Sequence, residues 1–321
     1  MTIYRLKQIL LCLCLWAMGS SWAQTYPAHS ITLVCPFAPG GSADIMARLI
    51  GNKLGESLGV PVVVDNRPGA GGLVGASLVA KAKPDGYTLL LVTGAYPAGA
   101  ALAKQLSFDP VKDITMIGMV TSYPFILNTS SQAPFKSLPE LMAYAKANPG
   151  KLNYSSSGIG SIGHLSSELF NVMAGTEMVH IPTKGGSAAL NELLAGRIDL
   201  LFEAPTLSLP FIKSGKLQAL ASSGKERSKS WASLPTISEA LPGFQVYSFI
   251  GLGATTGTPE ATIRLINQEL KKIVQQADVA KRLVELGGEP QHSSPEEFRQ
   301  FVEQDLRKWQ QLIDVRKIER Q

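Results

Sequence analysis

Two glycine-rich turns, each set between an apolar strand and a helix, have the clearest capacity for chemistry in this sequence. The first is PFAPGGSAD at residues 36–44, which follows the apolar residues 31–35. Its two glycines let the backbone approach a ligand closely, and Ser42 is placed to cap the next helix. The unpaired N–H groups and partial positive charge of a helix start attract anions. The same pattern also suits an ordinary strand–helix turn in which Asp44 balances the helix dipole.

The second turn, NYSSSGIGSIGH at residues 153–164, repeats the order of strand, glycine turn and hydroxyl at a helix start. Gly158, Gly160 and Gly163 also match the dinucleotide pattern G-x-G-x-x-G. No acidic residue follows about twenty positions later at the end of a second strand, so the match to a dinucleotide site is weak. We therefore predict two anion-binding turns that clamp one ligand between two lobes.

Ser161, His164 and Glu203 are the residue types of a hydrolase triad. The nucleophile elbow G-x-S-x-G does not fit, because residue 159 is Ile. A Ser and a His three apart on one helix are also poorly placed for proton transfer, which generally joins separate segments. We predict that the protein is not an enzyme, and we rank a Ser/His hydrolase third, well behind the two binding functions named below. His164 is expected to donate a hydrogen bond to the ligand or to its own loop, and His180 to be packed.

Composition argues against metals, cofactors and nucleic acid. The chain has four histidines and three cysteines, and two of the cysteines lie in the first 23 residues. No histidine pair has zinc-ligand spacing, so we predict no metal and no cofactor. Without the first 23 residues, which hold two basic residues, the charge is 28 minus 25, or +3. The Lys and Arg residues are scattered, which does not favour nucleic acid as a partner.

The first 23 residues have the layout of a secretory signal peptide. Arg5 and Lys7 precede an apolar run at residues 9–18, and Ser21-Trp22-Ala23 forms a small-x-small cleavage site. We predict cleavage after Ala23 and a periplasmic location. The apolar run is too short to span a bilayer. Lipidation at one of the leader cysteines stays open as an alternative.

Short β-branched runs alternate with helical periodicity almost to the end, which predicts an α/β fold with largely parallel sheets. The predicted strands are 31–37, 61–64, 87–92, 125–128, 152–155, 178–181, 199–202, 217–221 and 246–252. The predicted helices are 44–57, 73–82, 138–147, 162–173, 188–195, 259–276 and 295–313, with Ser137 and Ser294 as N-caps. Length suggests two domains. We predict lobe 1 at residues 24–123 and 247–321, and lobe 2 inserted at residues 124–246.

Several motifs occur together in one order along the chain. They are PFxPGGxxD at 36–44, NRPGAGG at 66–72, PDGYTL at 84–89, PGKLNY at 149–154, GS at 160–161 with HL at 164–165, KG at 184–185, DL with F at 199–202, GKL at 215–217 and LPT at 234–236. In these motifs the chain closely resembles the Bug-type extracytoplasmic solute-binding receptors of tripartite tricarboxylate transporters. The resemblance covers essentially the whole mature chain.

The resemblance implies a type II periplasmic binding-protein fold, with two α/β lobes, a two-strand hinge and a cleft that closes on its ligand. It implies a carboxylate held largely by backbone amides and ordered waters. It also implies a receptor that hands its ligand to membrane permease subunits. We expect a monomer, and keep as the alternative a ligand sensor that presents the bound carboxylate to a sensor kinase. The ligand-binding residues carried over are Ala38, Pro39, Gly40, Gly41, Ser42, Thr93, Gly94, Ala95, Gly160, Ser161, His164 and Glu203.

This sequence departs from the family's usual residues near the predicted site. Glu203-Ala204 stand where the family usually has Asp or Asn followed by Asn, and Thr183 stands where it usually has Tyr. Tyr96 and Tyr123 are candidates for a flat apolar wall. Glu203 would repel a second carboxylate unless Glu203 is protonated or reaches a donor. We therefore predict a mono- or dicarboxylate with an apolar or aromatic body, rather than citrate.

Overall fold

The computed structural model describes residues 26–228 and 231–321 as two mixed β-sheets flanked by helices. The predicted signal peptide lies outside these residues. The first sheet contains β1 (Ile31–Cys35), β2 (Val62–Asn66), β3 (Thr88–Thr93), β4 (Ile114–Pro124), β10 (Tyr247–Thr255) and β11 (Glu289–Pro290), in the order β11-β4-β10-β3-β1-β2. The second contains β5 (Ile126–Ser130), β6 (Asn153–Ser156), β7 (Val179–Pro182), β8 (Leu200–Glu203) and β9 (Leu217–Ser222), in the order β7-β6-β8-β5-β9.

Helices cover the faces of both sheets. In chain order they are α1 (Ser42–Leu58), α2 (Leu73–Ala80), α3 (Ala95–Leu102), α4 (Leu138–Ala147), α5 (Ile162–Ala174), α6 (Gly186–Leu194), α7 (Pro205–Lys213), α8 (Glu260–Gln275), α9 (Ala277–Glu285) and α10 (Pro295–Arg316). The predicted N-caps of α4 and α10 are confirmed: Ser137 accepts the N–H of Glu140, and Ser294 forms a capping box with Glu297.

The predicted α/β class is confirmed, but the sheets are mixed rather than largely parallel. β1 is parallel to β2 and β3, and β6 is parallel to β7 and β8. β10 runs antiparallel to β3 and β4, and β5 runs antiparallel to β8 and β9. β5 and β10, the strands that follow the two crossings between the sheets, therefore run antiparallel to their neighbours. The alternation of strands and helices along the sequence does not reveal strand direction.

The chain crosses between the sheets at two adjacent places. It passes from β4 to β5 at Phe125, and it returns to the first sheet as β10, in which Tyr247 pairs with Pro124. Buried Ser223 ties the crossings together, since its Oγ accepts the N–H of Phe125 at 2.8 Å and donates to the carbonyl of Val246 at 2.6 Å. The residue limits predicted for the lobes stay a prediction.

The first sheet buries both of its faces. In β1, Leu33 packs with Met46 and Ile50 of α1, whereas Val34 packs with Ala76 and Val79 of α2 on the other face. Burial on both faces explains the continuous apolar run that precedes the first glycine turn. Among residues 26–228 and 231–321, no helix is both long and apolar enough to cross a membrane.

Candidate functional site

The first glycine turn leads directly into α1. The N-cap of this helix is Gly41, so no side chain caps its first turn. The prediction that Ser42 is the cap is wrong, because Ser42 is already the first helical residue. Residues 38–40 are exposed, and Gly40 has a φ of +82°. The start of α1 therefore presents amide donors without a helical partner at an accessible turn.

Asp44 takes up one of the donors predicted for the ligand. Its Oδ2 accepts the N–H of Gly40 at 3.0 Å and Nε of Arg48 at 3.0 Å, and its Oδ1 accepts Nδ2 of Asn66 at 3.0 Å. Burial raises the pKa of Asp44, but these donors outweigh burial and leave the pKa below its ordinary value. The carboxylate therefore fixes the shape of the turn. The N–H of Gly40 is thus bonded within the turn.

The loop after β3 contacts the start of α5. The N–H of Ala95 donates to Oγ1 of Thr93 at 3.2 Å, so this hydroxyl is bonded within its own loop. A Cβ built on Gly94 would lie 3.0 Å from Oγ of Ser248 and 3.5 Å from Cδ1 of Ile162. Ile162 is the first residue of α5. This contact brings an end of the first sheet against the second glycine turn.

The second glycine turn is more tightly constrained than the first. Ser161 is the N-cap of α5, and its Oγ accepts the N–H of His164 at 3.3 Å. Gly160 is buried with a φ of +78°, and a Cβ there would lie 2.4 Å from Cδ2 of Leu102 at the end of α3. Both the backbone conformation and the close approach of α3 require glycine at this position.

His164 holds the second turn in place. Its Nδ1 accepts the N–H of Gly160 at 3.1 Å, so the predicted hydrogen bond to its own loop forms with His164 as acceptor rather than donor. Ser161 bonds the main-chain N–H of His164 and not the imidazole. A catalytic Ser–His pair needs the imidazole to accept the serine proton. These contacts do not assemble the triad considered from the sequence.

His180 is packed, as predicted, and forms a stack with two other rings. Its ring lies 4.1 Å from that of His164 and 4.9 Å from that of Tyr154, measured between centroids. Its Nε2 lies 2.7 Å from Oγ of Ser156. Burial lowers the pKa of both histidines to about 4. Both rings are therefore neutral at physiological pH, and their contribution to stability is lost as pH falls from about 6.5 toward 4.

Two substitutions of His164 test whether it acts by accepting the N–H of Gly160 or by donating a hydrogen bond to the ligand. We expect His164→Ala to weaken ligand binding about fivefold, since one lost hydrogen bond is worth about 1 kcal/mol. His164→Asn keeps an acceptor near Nδ1 and should bind within about twofold of the unmodified protein. Calorimetric titration of both variants tests this. Equal losses in both would mean that the imidazole itself contacts the ligand.

Glu203 ends β8 and pairs with Ile126, the first residue of β5 after the crossing. Its Oε1 accepts the N–H of Ala204 at 2.8 Å. Burial raises the pKa of Glu203 to about 7, against the lowering effect of that N–H. A Cβ on Gly186 would lie 2.6 Å from Oε2, so any larger residue at 186 would displace the carboxyl from this position. Sequence reasoning identified Glu203 but missed Gly186.

Of the two tyrosines considered for an apolar wall, Tyr96 belongs to the core instead. Its hydroxyl donates to the carbonyl of Pro110 at 2.7 Å, and its ring stacks on Phe108 at 6.4 Å. Tyr123 is buried at the end of β4, where its hydroxyl bonds Ser248 and its charge would interact with Glu203. Tyr123 therefore lies near Glu203, whereas the ring of Tyr96 packs in the core although this residue directly follows Ala95.

The strand topology relates the predicted site residues to one another. β1 and β3 are parallel neighbours, so the turn at 38–42 and the loop at 93–95 extend from the same edge of the first sheet. β6 and β8 are parallel neighbours, so the turn at 158–161 and Glu203 extend from one edge of the second sheet. The contact between Gly94 and Ile162 joins these two edges. The ligand contacts of the twelve predicted residues stay a prediction.

Comparison with known proteins decides the family. The model of the tripartite tricarboxylate transporter family receptor matches residues 46–318. The chain belongs to this receptor family. BugT of Bordetella pertussis (strain Tohama I) is 35% identical over 294 residues, which cover 91% of this chain and 90% of BugT. The predicted resemblance to Bug-type receptors is thereby confirmed.

Solved structures of similar proteins agree with this receptor in fold. The periplasmic binding protein BugD is 31% identical with a TM-score of 0.83, covering 92% of this chain and 100% of BugD. Rpa4515 of R. palustris with adipate is 34% identical with a TM-score of 0.84, covering 90% of this chain and 97% of its own. MatC of Rhodopseudomonas palustris with bound malate is 33% identical with a TM-score of 0.81, and the match covers 90% of this chain and 100% of MatC. These likenesses confirm the periplasmic binding-protein fold.

Proposed function

We propose that this receptor binds a small mono- or dicarboxylate with an apolar or aromatic body in the gap between its two sheets. In this proposal it acts in the periplasm, after cleavage of its leader, and delivers the ligand to the membrane subunits of a tripartite tricarboxylate-type transporter. It acts as a binding protein and not as an enzyme. Similar receptors with adipate and with malate support a carboxylate as the ligand.

One observation carries the proposal: the loop at Gly94, from the first sheet, meets the start of α5, from the second. Together with the parallel pairing of β1 and β3, this contact supports a shared gap for the starts of α1 and α5. The start of α1 has no side-chain cap, so its amides are available to an anion, and Ser161 at the start of α5 has a hydroxyl proton to donate.

These donors suffice energetically without a buried arginine. Four hydrogen bonds to a charged group contribute about 1.5–3 kcal/mol each, and each helix start adds up to about 2 kcal/mol in favourable cases, whereas micromolar binding needs about 8 kcal/mol. The remainder offsets the entropy of association and of bringing the two sheets together. Ligand then shifts the population toward the closed form, which the membrane partner recognises.

A melting-temperature screen against carboxylates tests the proposal. Benzoate-type, nicotinate-type, dicarboxylate and citrate ligands should be compared, because a ligand at about a hundred times its dissociation constant adds about 2.7 kcal/mol of stability. We expect stabilisation by acids with an apolar or aromatic body. Strong citrate binding without any response to the other acids would contradict the ligand class, and no response to any acid would contradict the function.

Two substitutions test the glycine turns, with the tightest-binding acid of that screen as ligand. Ser161→Ala removes the hydroxyl and the cap of α5, and Gly40→Trp fills the first turn. We expect both variants to fold and to bind about tenfold or more weakly. Ser137→Ala, which removes the cap of α4, and Gly150→Trp, at another open glycine with φ of +71°, are the matched controls and should bind normally. Unchanged affinity in both test variants would remove these turns from the site.

A further inference from the structure

The carboxyl of Glu203 lies at the start of α6, and the residue before Glu203 packs against the start of α5. Glu203 follows Phe202 at the end of β8, and a Cβ on Gly163 would lie 2.9 Å from the carbonyl oxygen of Phe202. Gly163 belongs to the first turn of α5, next to Ser161. The end of β8 is therefore packed against the helix start that contributes to the proposed carboxylate site.

The two oxygens of Glu203 have different surroundings. Oε1 accepts the N–H of Ala204 at 2.8 Å, and Oε2 accepts no hydrogen bond from any residue at 26–228 or 231–321. In the same described ranges, the fully buried side-chain oxygens without a partner belong to Asn128, Ser166 and Ser222. Oε2 is not one of them, so this oxygen keeps some exposure although the residue as a whole is only 8% exposed.

No Lys, Arg or His side chain forms an ion pair with Glu203 in the described residues, and the partial positive charge beside its Oε2 is that of the start of α6. β4 contributes Tyr123, β5 contributes Ile126, α6 contributes Gly186 and α7 contributes Leu207. Tyr123 is the titratable group that faces the carboxyl, and burial raises its pKa, so it stays neutral. In the described part of the chain, Glu203 joins no ion pair. Its Oε2 is therefore an acceptor that no hydrogen-bond donor in the described ranges reaches.

We propose that Glu203 sets ligand specificity, so that the receptor prefers a monocarboxylate carrying a hydroxyl or amide N–H donor at its far end. The carboxylate lies at the two helix starts, and the donor reaches Oε2 of Glu203. A second ionised carboxylate at the far end meets a like charge in a buried setting and binds more weakly. This inference rests on the proposed carboxylate function and names the class of acid within it.

Burial raises the pKa of Glu203 to about 7, which gives the inference a pH signature. Near pH 8 the group is mostly ionised, and near pH 6 it is mostly protonated and becomes a donor. Ligand carboxyl groups titrate at about 4–5, somewhat higher for the second group of a diacid, and are mainly ionised at both pH values. Dicarboxylate binding should therefore strengthen as pH falls from 8 to 6, whereas binding of the hydroxy acid should not.

The experiment uses matched ligands of one length and titrates them by calorimetry. The aliphatic set is adipate, its monoamide and 6-hydroxyhexanoate, and the aromatic set is terephthalate, its monoamide and 4-(hydroxymethyl)benzoate. At about pH 8 we expect the monoamide or the hydroxy acid to bind about tenfold more tightly than the dicarboxylate. Glu203→Gln should reduce this preference to about twofold and remove the pH dependence of dicarboxylate binding. Glu319→Gln, at a side chain that is 90% exposed, should change neither.

The possible outcomes separate this inference from the proposed function. One outcome is that, near pH 8, the unmodified protein binds each dicarboxylate as tightly as the matched monoamide and hydroxy acid, and Glu203→Gln leaves all these affinities unchanged. Glu203 then does not set specificity, although the receptor binds carboxylates. If Glu203→Gln weakens binding of every acid equally, the residue supports the site without selecting the ligand, which also overturns the inference. If no acid binds to any variant, including those of the wider screen, the proposed function fails and the inference with it.

Discussion

Glu203→Gln is expected to stabilise the ligand-free receptor near pH 8 by about 3 kcal/mol. Burial raises the pKa of this carboxyl from its ordinary value of 4.5 to about 7. The folded state therefore holds a proton that the unfolded state releases between these two pKa values, and stability falls as pH rises through that window. A difference of about 2.5 in pKa corresponds to about 3.4 kcal/mol. Glutamine keeps an acceptor for the N–H of Ala204 and carries no charge.

The test is the melting temperature of the ligand-free protein and its variant across a pH series. The difference in free energy of unfolding between Glu203→Gln and the unmodified protein should be absent below about pH 4.5. It should grow between about pH 4.5 and 7 and stay constant above about pH 7. His164 and His180 lower stability with falling pH in both proteins, so their effect cancels in the difference. Glu319→Gln is the matched control and should follow the unmodified protein. A constant difference at all pH values would show that the side chain acts through packing and not through its charge.

Much of this fold was predictable because each strand–turn–helix unit carries a local signal. These signals fix the local backbone within a few residues. They are the apolar run of β1, the glycines after it, and the Ser and Pro residues that start α4 and α10. These elements appear in the structure close to their predicted limits. The elements that were missed have weak local signals. α3 begins with Ala95-Tyr96-Pro97 and is rich in Gly and Ala, and packing against its neighbours stabilises it more than its own propensity does.

The site was predictable in the same uneven way. Glycine patterns identified both turns, since a left-handed backbone at Gly40 and Gly160 is a local requirement. The hydrogen bonds that fix the turns depend on side chains that could have pointed elsewhere. Asp44 was considered as a partner of the helix dipole, and in the structure it also accepts the N–H of Gly40, which the ligand was expected to use. A sequence pattern cannot decide between two acceptors for one donor.

Contacts between segments far apart in the chain were not predictable at all. Gly186 leaves room for the carboxyl of Glu203, and Gly160 leaves room for Leu102. Each pair joins a glycine that looks like an ordinary turn residue to a side chain from another element. Only the packing of the two sheets and their helices brings them together, so no local sequence pattern indicates these contacts.

Gly160→Ala is expected to reduce ligand affinity about a hundredfold while the protein still folds. A left-handed backbone costs alanine about 1–2 kcal/mol. In addition, the new Cβ would lie 2.4 Å from Cδ2 of Leu102, which is itself only 5% exposed and has little room to move. The clash between the new Cβ and Leu102 is relieved when the second glycine turn moves away from α3. The substitution therefore disfavours the arrangement in which the two glycine turns face one ligand. About 2.7 kcal/mol of such a bias gives a hundredfold loss.

Two further variants separate the clash from the backbone strain. Gly175, at the C-terminal end of α5, has a φ of +63° and no atom within 4 Å of a built Cβ. Gly175→Ala should therefore lower the melting temperature by a similar strain cost but leave affinity unchanged. Leu102→Ala combined with Gly160→Ala removes the opposing side chain and should recover at least about tenfold in affinity, measured well below the melting temperature. If the double variant binds as weakly as Gly160→Ala alone, contact between α3 and the second turn is not what brings the two halves of the site together.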